Sequence, residues 1–231
     1  MIAVYAPPGA YGIPSVSPFC VKLEAWLRMA GVPFERKLGN PAQAPKGKVP
    51  YVELDGVLVG DSQHIIERLT ELHGVTLDHG LSPREHALAR AVRRMLEEGT
   101  YWSLVHARWL DDAGWDVYKP DFGAVLPALA RPALPLIRRQ VRKSAWAHGA
   151  GRHSGEVAYA MGADDLHAVS ELITGPTFFG DQPRSVDAVV YAMAVSAARF
   201  PVDSPVRAAA QSAPLQTLID AVEDRFFGET A

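Results

Sequence analysis

The stretch Ser17-Pro18-Phe19-Cys20 holds the residues of this chain best suited to chemistry. Serine is favoured just before a helix and proline at its first position, so the tetrapeptide predicts a helix N-terminus. The unpaired backbone N–H groups there carry partial positive charge and favour a thiolate. A Ser17 hydroxyl aimed at a ligand sulfur would donate a hydrogen bond and lower the thiol pKa; turned inward, it would only cap the helix. Cys20 shares a helical face with Leu23 and Leu27. It is either a reactive thiol that forms mixed disulfides or a small buried apolar residue. Downstream, Lys46-Gly47-Lys48-Val49-Pro50-Tyr51 places a Val-Pro bond, a candidate cis peptide, at the head of a strand. Asp61-Ser62 opens another helix, a place suited to a carboxylate. In that order the pieces describe a site for a small thiol lying across a helix end.

The elements that must position these residues follow from periodicity. Residues 2–6 read as a buried strand ended by Pro7-Pro8-Gly9, and the loop to Ser17 has no period. Residues 18–30 put Cys20, Leu23, Leu27 and Ala30 on one helical face, stopped by Gly31. Residues 34–38 suit a strand, and residues 39–48, rich in Pro, Gly and Ala, suit at most a short helix. Residues 51–54 and 57–59 flank Asp55-Gly56, a type I′ hairpin signal. Residues 62–73 form a helix with Ile65, Ile66, Leu69 and Leu72 inward. The order β-α-β-β-β-α is thioredoxin-like. Residues 74–81 link to Ser82-Pro83-Arg84-Glu85, a capping box predicting one long helix to about Leu110. Residues 122–143 carry Pro127, Pro132 and Pro135 and must be kinked or broken, and helices are expected over 154–172, 185–200 and 214–227. The fold expected is α+β in two domains, a thioredoxin-like one at 1–74 and an all-α one at 82–231.

Residues 2–73 resemble the N-terminal domain of a glutathione transferase, and the remainder resembles its helical C-terminal domain. Ser17-Pro18-Phe19-Cys20-Val21-Lys22-Leu23-Glu24, Lys46-Gly47-Lys48-Val49-Pro50-Tyr51, Asp61-Ser62 and Gly151-Arg152-His153-Ser154 narrow it to the branch with bacterial metaxin-like transferases and failed-axon-connections proteins. The resemblance implies glutathione as co-substrate, with Ser17 and Cys20 the candidate thiol-handling residues. It implies binding by Phe19, Lys48, Val49, Pro50, Asp61 and Ser62. Val49 would pair its backbone with the cysteinyl part like an added strand. Ser62 and the N–H groups of Gln63 and His64 would take the γ-glutamyl carboxylate, and Asp61 the ammonium. Lys46 and Lys48 would reach the glycine carboxylate or simply be solvated. Tyr11, Trp102, His106 and Trp109, with Tyr101, would border the electrophile pocket or belong to the core; Tyr5 alternates in a strand and suits packing. Arg138, Arg139, Arg142 and Lys143 suit an anion patch or a solvated face. Arg152-His153 matches the pattern without a physical role. One departure is Arg184-Ser185-Val186-Asp187, which keeps the aspartate of the family's capping box but not its cap, leaving Ser185 to cap. A homodimer is implied.

With 231 residues, 48% hydrophobic and 21% charged, the chain can bury a core. A net charge of −3 gives no reason to expect nucleic acid, and no apolar run reaches the roughly 20 residues a membrane span needs. One cysteine and an N-terminus without a basic segment predict a cytoplasmic protein without a signal peptide. No metal is expected. The expected function is conjugation of glutathione to a small hydrophobic electrophile, as in detoxification. The alternatives are a thiol transferase or reductase acting through Cys20, and a non-catalytic metaxin-like adaptor.

Overall fold

The computed structural model describes residues 1–126 and 128–228; Pro127, expected among the helix-breaking prolines, and residues 229–231, at the end of the expected helical domain, lie outside them. Strand β1 (Ile2–Ala6) buries Ile2, Val4 and Ala6 at alternate positions. Helix α1 (Pro18–Met29), β2 (Phe34–Leu38), β3 (Tyr51–Leu54), β4 (Val57–Gly60) and helix α2 (Ser62–His73) follow. The sheet order is β2-β1-β3-β4, with β1 and β2 parallel and the other pairs antiparallel. This is the thioredoxin-like arrangement. Edge strand β2 exposes Glu35, Arg36 and Lys37, charges that discourage further pairing. Asp55 and Gly56 take φ of 50° and 77°, as a type I′ hairpin requires.

The remainder is helical. Helix α3 (Pro83–Met95) begins with the expected box: Ser82 Oγ accepts from the Glu85 N–H at 3.3 Å, and Glu85 Oε2 accepts from the Ser82 N–H at 2.7 Å. The long helix expected to reach about Leu110 does reach it, with its α-helical repeat interrupted twice. After α3 come a π turn at Leu96–Thr100, a short helix α4 (Tyr101–Val105) and a second π turn at His106–Leu110. Each π turn inserts an extra residue into the repeat and rotates the side chains beyond it. Helix α5 (Asp112–Val125) starts ten residues before the expected second helical region, carries Pro120, and gives way to a 3₁₀ stretch, Ala128–Ala133, that holds Pro132. Pro135 sits in the first turn of α6 (Leu134–His148), where its missing N–H is tolerated. Helices α7 (Gly155–Leu172), α8 (Ser185–Ala198), α9 (Pro205–Ala210) and α10 (Ala213–Phe226) complete the fold; α9 has no counterpart in the sequence reading.

Helix α8 is buried from Val186 to Ala198, as expected of a predominantly apolar helix at the centre of a domain. Helix α1 packs along it, and one apolar cluster runs from Val4 through Trp26 and Leu27 to Val189, Met193 and Leu218. Ser185 does not cap α8. Its N–H donates to Asp78 Oδ1 of the linker at 2.8 Å, and its Oγ accepts from Trp26 Nε1 at 3.1 Å. Arg184 brings the linker there by donating to the carbonyls of Leu77 at 2.7 Å and His79 at 2.8 Å. Asp187 accepts from the Arg184 and Phe178 N–H groups, each at 2.7 Å. The cap that Arg184 cannot supply thus arrives from residues 74–81.

Candidate active site

Ser17 stands at the N-cap of α1 in extended backbone, with φ −98° and ψ 117°. Its carbonyl accepts from the N–H groups of Cys20 and Val21, both at 3.0 Å, while its hydroxyl makes no capping bond. Half-buried, it lines a cleft of about 900 Å³. The cleft's other N-terminal walls include Phe19, Val49, Pro50, Asp61 and Ser62, and Lys46 and Lys48 lie at its rim. The Val49–Pro50 peptide is cis. The opposite wall comes from the helical region: Glu97, Glu98, Tyr101 and Trp102. Phe19 packs on Tyr101 across this gap, ring centroids 4.8 Å apart.

Cys20 does not share this placement. It is 2% exposed, absent from the cleft lining, and burial pushes its thiol up to about 12 against smaller opposing hydrogen bonds from Ser17 and Ser15. A reactive thiol requires the opposite shift. The catalytic expectation for Cys20 is therefore corrected: its side chain fills the apolar face it shares with Leu23 and Leu27.

Asp61 caps α2 through Oδ1, which accepts from the Gln63 N–H at 3.0 Å and the His64 N–H at 3.2 Å. Those N–H groups, expected to hold a ligand carboxylate, are already occupied. Ser62 is buried, and its Oγ accepts from Lys22 Nζ at 3.4 Å. Lys22 is 1% exposed and also donates to Gln63 Oε1 at 2.9 Å and Glu97 Oε1 at 2.5 Å. Arg93 holds the other oxygen of Glu97 at 2.9 Å. Desolvation lowers the Lys22 pKa, and Glu97 opposes it. A paired charge cluster thus lies beneath Ser62 and ties α1 to the first π turn.

The expected electrophile residues do not stay together. Trp102 lines the cleft and stacks on His148 at 4.3 Å; beyond it lies a second cavity of about 520 Å³ that includes Met161, Arg152 and His153. Trp109 is corrected to the core: it packs on Trp115, Tyr118 and Phe122 at centroid distances of 5.3, 5.2 and 4.8 Å. Tyr11 joins the same aromatic cluster, 5.5 Å from Phe200, with its hydroxyl donating to the Val117 carbonyl at 3.4 Å. His106 is buried against Tyr159, its pKa lowered chiefly by desolvation, and its Nδ1 finds no partner among the described residues. None of these three lines the cleft. For Trp109 the physical reason is the π turn at His106–Leu110, which breaks the 3.6-residue spacing that put it on one face with Trp102. Arg138 is no anion patch: it donates to the carbonyls of Trp109 at 2.8 Å and Asp111 at 3.3 Å and pairs with Asp112. Tyr5 stacks on Tyr51 at 4.5 Å within the sheet.

A family model described as glutathione S-transferase N-terminal domain matches residues 18–114. A protein of Rhodococcus sp. (strain AD45) named isoprene-epoxide glutathione S-transferase is 39% identical over 83% of this chain and 84% of its own length. The chain belongs to the glutathione transferase family. Failed axon connections of Drosophila melanogaster is 34% identical over 78% of the chain, and human metaxin-1 is 27% identical over 79%. The chain spans under half of these two, 46% and 41%. Among solved structures, a glutathione S-transferase from Pseudomonas fluorescens superposes with TM-score 0.60, 18% identity and coverage of 97% of this chain and 96% of that one. Within that family the chain is thus similar both to a bacterial transferase and to failed-axon-connections and metaxin proteins.

Within this glutathione transferase, sequence reasoning missed Lys22, Glu97 and Arg108. The signal for Lys22 was present, since a lysine inside the apolar run Val21 to Leu27 is expensive to bury unpaired. Arg152 of the family motif now has a structural role. It donates to the Trp146 carbonyl at 3.0 Å at the end of α6, and Gly151 lets the chain pass where a Cβ would meet Ala145 C at 2.8 Å.

Proposed function

We propose that the chain conjugates glutathione to small apolar epoxides or similar electrophiles. The observation that carries this reading is Ser17, whose hydroxyl makes no capping bond and which lines a cleft that also takes in the Val49–Pro50 edge and Ser62. In this reading the Val49 backbone pairs with the cysteinyl part, Ser62, held from beneath by Lys22, receives the γ-glutamyl end, and the sulfur lies at Ser17. The α1 N-terminus and the Ser17 hydroxyl favour its thiolate. The thiolate attacks an epoxide carbon; a C–S bond forms, the C–O bond breaks, and the departing oxygen takes up a proton. Tyr101 faces this point, and burial raises its phenol pKa, which keeps it a hydrogen-bond donor. The Rhodococcus relative's name supports an epoxide as electrophile.

The adaptor reading is supported by likeness to metaxin-1, at lower identity and over a smaller share of that protein. Calorimetry with glutathione, followed by product analysis after incubation with isoprene epoxide, separates the two. Saturable binding and a thioether product are expected. Absence of both would hand the chain to the adaptor reading.

A further inference from the structure

The loop of residues 7–16, which delivers Ser17 to the cleft, is held at its carbonyls by arginines. Arg36 of β2 donates to Pro14 and Pro7, and Arg199, just past α8, donates to Gly12 at 2.6 Å. Arg108, on the second π turn, donates to Val16 at 2.9 Å. Arg108 differs from the other two. It is 4% exposed, its second arm donates to the Ser196 carbonyl inside α8 at 2.7 Å, and its guanidinium lies over the Tyr118 and Phe200 rings at 5.8 and 5.3 Å. It takes part in none of the ion pairs among the described residues, and its Nε has no hydrogen-bond partner there. A buried cation bonded only to carbonyls and rings is unusual, because burial without a counter-charge is strongly unfavourable.

We propose that Arg108 is a positioning residue for the thiol chemistry: it grips the Val16 carbonyl so that Ser17 faces the cleft, and its uncompensated charge behind the α1 N-terminus favours the ligand thiolate. This rests on the glutathione transferase reading above. The guanidinium lies over Tyr118 and its charge also acts on Tyr11 and Tyr101, while Asp121 raises the pKa of Tyr11 and Tyr118. Tyr101 also lines the cleft, so the field of Arg108 reaches the cleft wall. The contact to Val16 crosses from the helical region to the residue before Ser17, so helix packing and the thiol site are linked through one side chain.

Two variants separate the parts of the proposal. Arg108→Gln keeps a donor for Val16 and deletes the charge; Arg108→Lys keeps the charge and deletes the fork. Each is compared with wild type by calorimetry with glutathione, by thiolate absorbance of the complex against pH, and by steady-state conjugation of isoprene epoxide. Arg108→Gln should lower kcat about tenfold near neutral pH with KM for glutathione within about twofold, and should raise the bound thiol's pKa. Arg108→Lys should lower kcat less and leave the thiol pKa where wild type has it. Folded variants that keep kcat and thiol pKa overturn the proposal, as does a fall in kcat that tracks lost melting temperature with no change in thiol pKa. Wild type that binds no glutathione overturns the transferase reading and this proposal together; wild type that binds and ionises glutathione while Arg108→Gln does the same overturns this proposal alone.

Discussion

Replacing Lys22 by Met should destabilise the chain by about 3 kcal/mol, the low end of the range for breaking a buried ion pair. The perturbation removes an ammonium that is 1% exposed and held by Glu97 at 2.5 Å, Gln63 at 2.9 Å and Ser62 at 3.4 Å. Glu97, itself 8% exposed, would keep only Arg93 at 2.9 Å, which is why the low end applies. Met matches the length of the stem and leaves no large cavity, so lost packing adds little. Denaturant unfolding measures the difference. The double variant Lys22→Met with Glu97→Gln should recover part of it, because no uncompensated carboxylate remains, and the coupling in the double-mutant cycle should exceed about 1 kcal/mol. Calorimetry on the single variant should show weaker glutathione binding, since Ser62 loses its buried partner. A Lys22→Met variant within about 0.5 kcal/mol of wild type, with no coupling to Glu97, would refute the reasoning, for that is the size of an ordinary surface substitution.

Cys20 should resist alkylation in the folded chain at neutral pH and react only after unfolding, and Cys20→Ala should keep most conjugating activity; mass spectrometry after iodoacetamide checks the first point. Trp109→Ala should destabilise by about 3–5 kcal/mol without changing electrophile selectivity, while Trp102→Ala should hold its melting temperature and shift selectivity between small and large epoxides. Asp187 is fully buried, and desolvation raises its pKa to about 6 from 3.8 in the unfolded chain. Its contribution is therefore fully present below the unfolded pKa and is lost as pH rises through about 6. Urea unfolding should show wild type losing up to about 3 kcal/mol relative to Asp187→Asn between pH about 4 and about 7; an unchanged gap would contradict the assignment.

The thioredoxin-like half was legible because its signals are local. Asp55-Gly56 admits few turns, Pro7-Pro8-Gly9 ends a strand, and apolar periods of two and of about three and a half alternate along residues 2–73. The landmarks Ser17, Val49-Pro50 and Asp61-Ser62 were legible too, and the fold brings them to one cleft. What failed to show was whatever depends on distant partners. The neighbours of Lys22 signal its burial, but its partner Glu97 lies 75 residues away. Ser185 reads as a cap until Asp78 takes that place. The electrophile wall was misread because a period of 3.6 was carried through two π turns, which leave no mark in composition. Trp109 thereby moved from the expected pocket into an aromatic cluster, which Tyr11 joins from the loop of residues 7–16.

The most direct test is the ultraviolet thiolate absorbance of bound glutathione against pH in wild type and Ser17→Ala. Ser17 makes no helix-capping bond with its side chain, so its removal costs the fold only its hydrogen bond to the Cys20 thiol and should act chiefly on the ligand sulfur. The account predicts an ionised thiol near neutral pH in wild type, and in Ser17→Ala a raised thiol pKa with conjugation down by about tenfold or more. A Ser17→Ala variant that binds glutathione, ionises it as wild type does and conjugates it at the same rate would contradict the central claim.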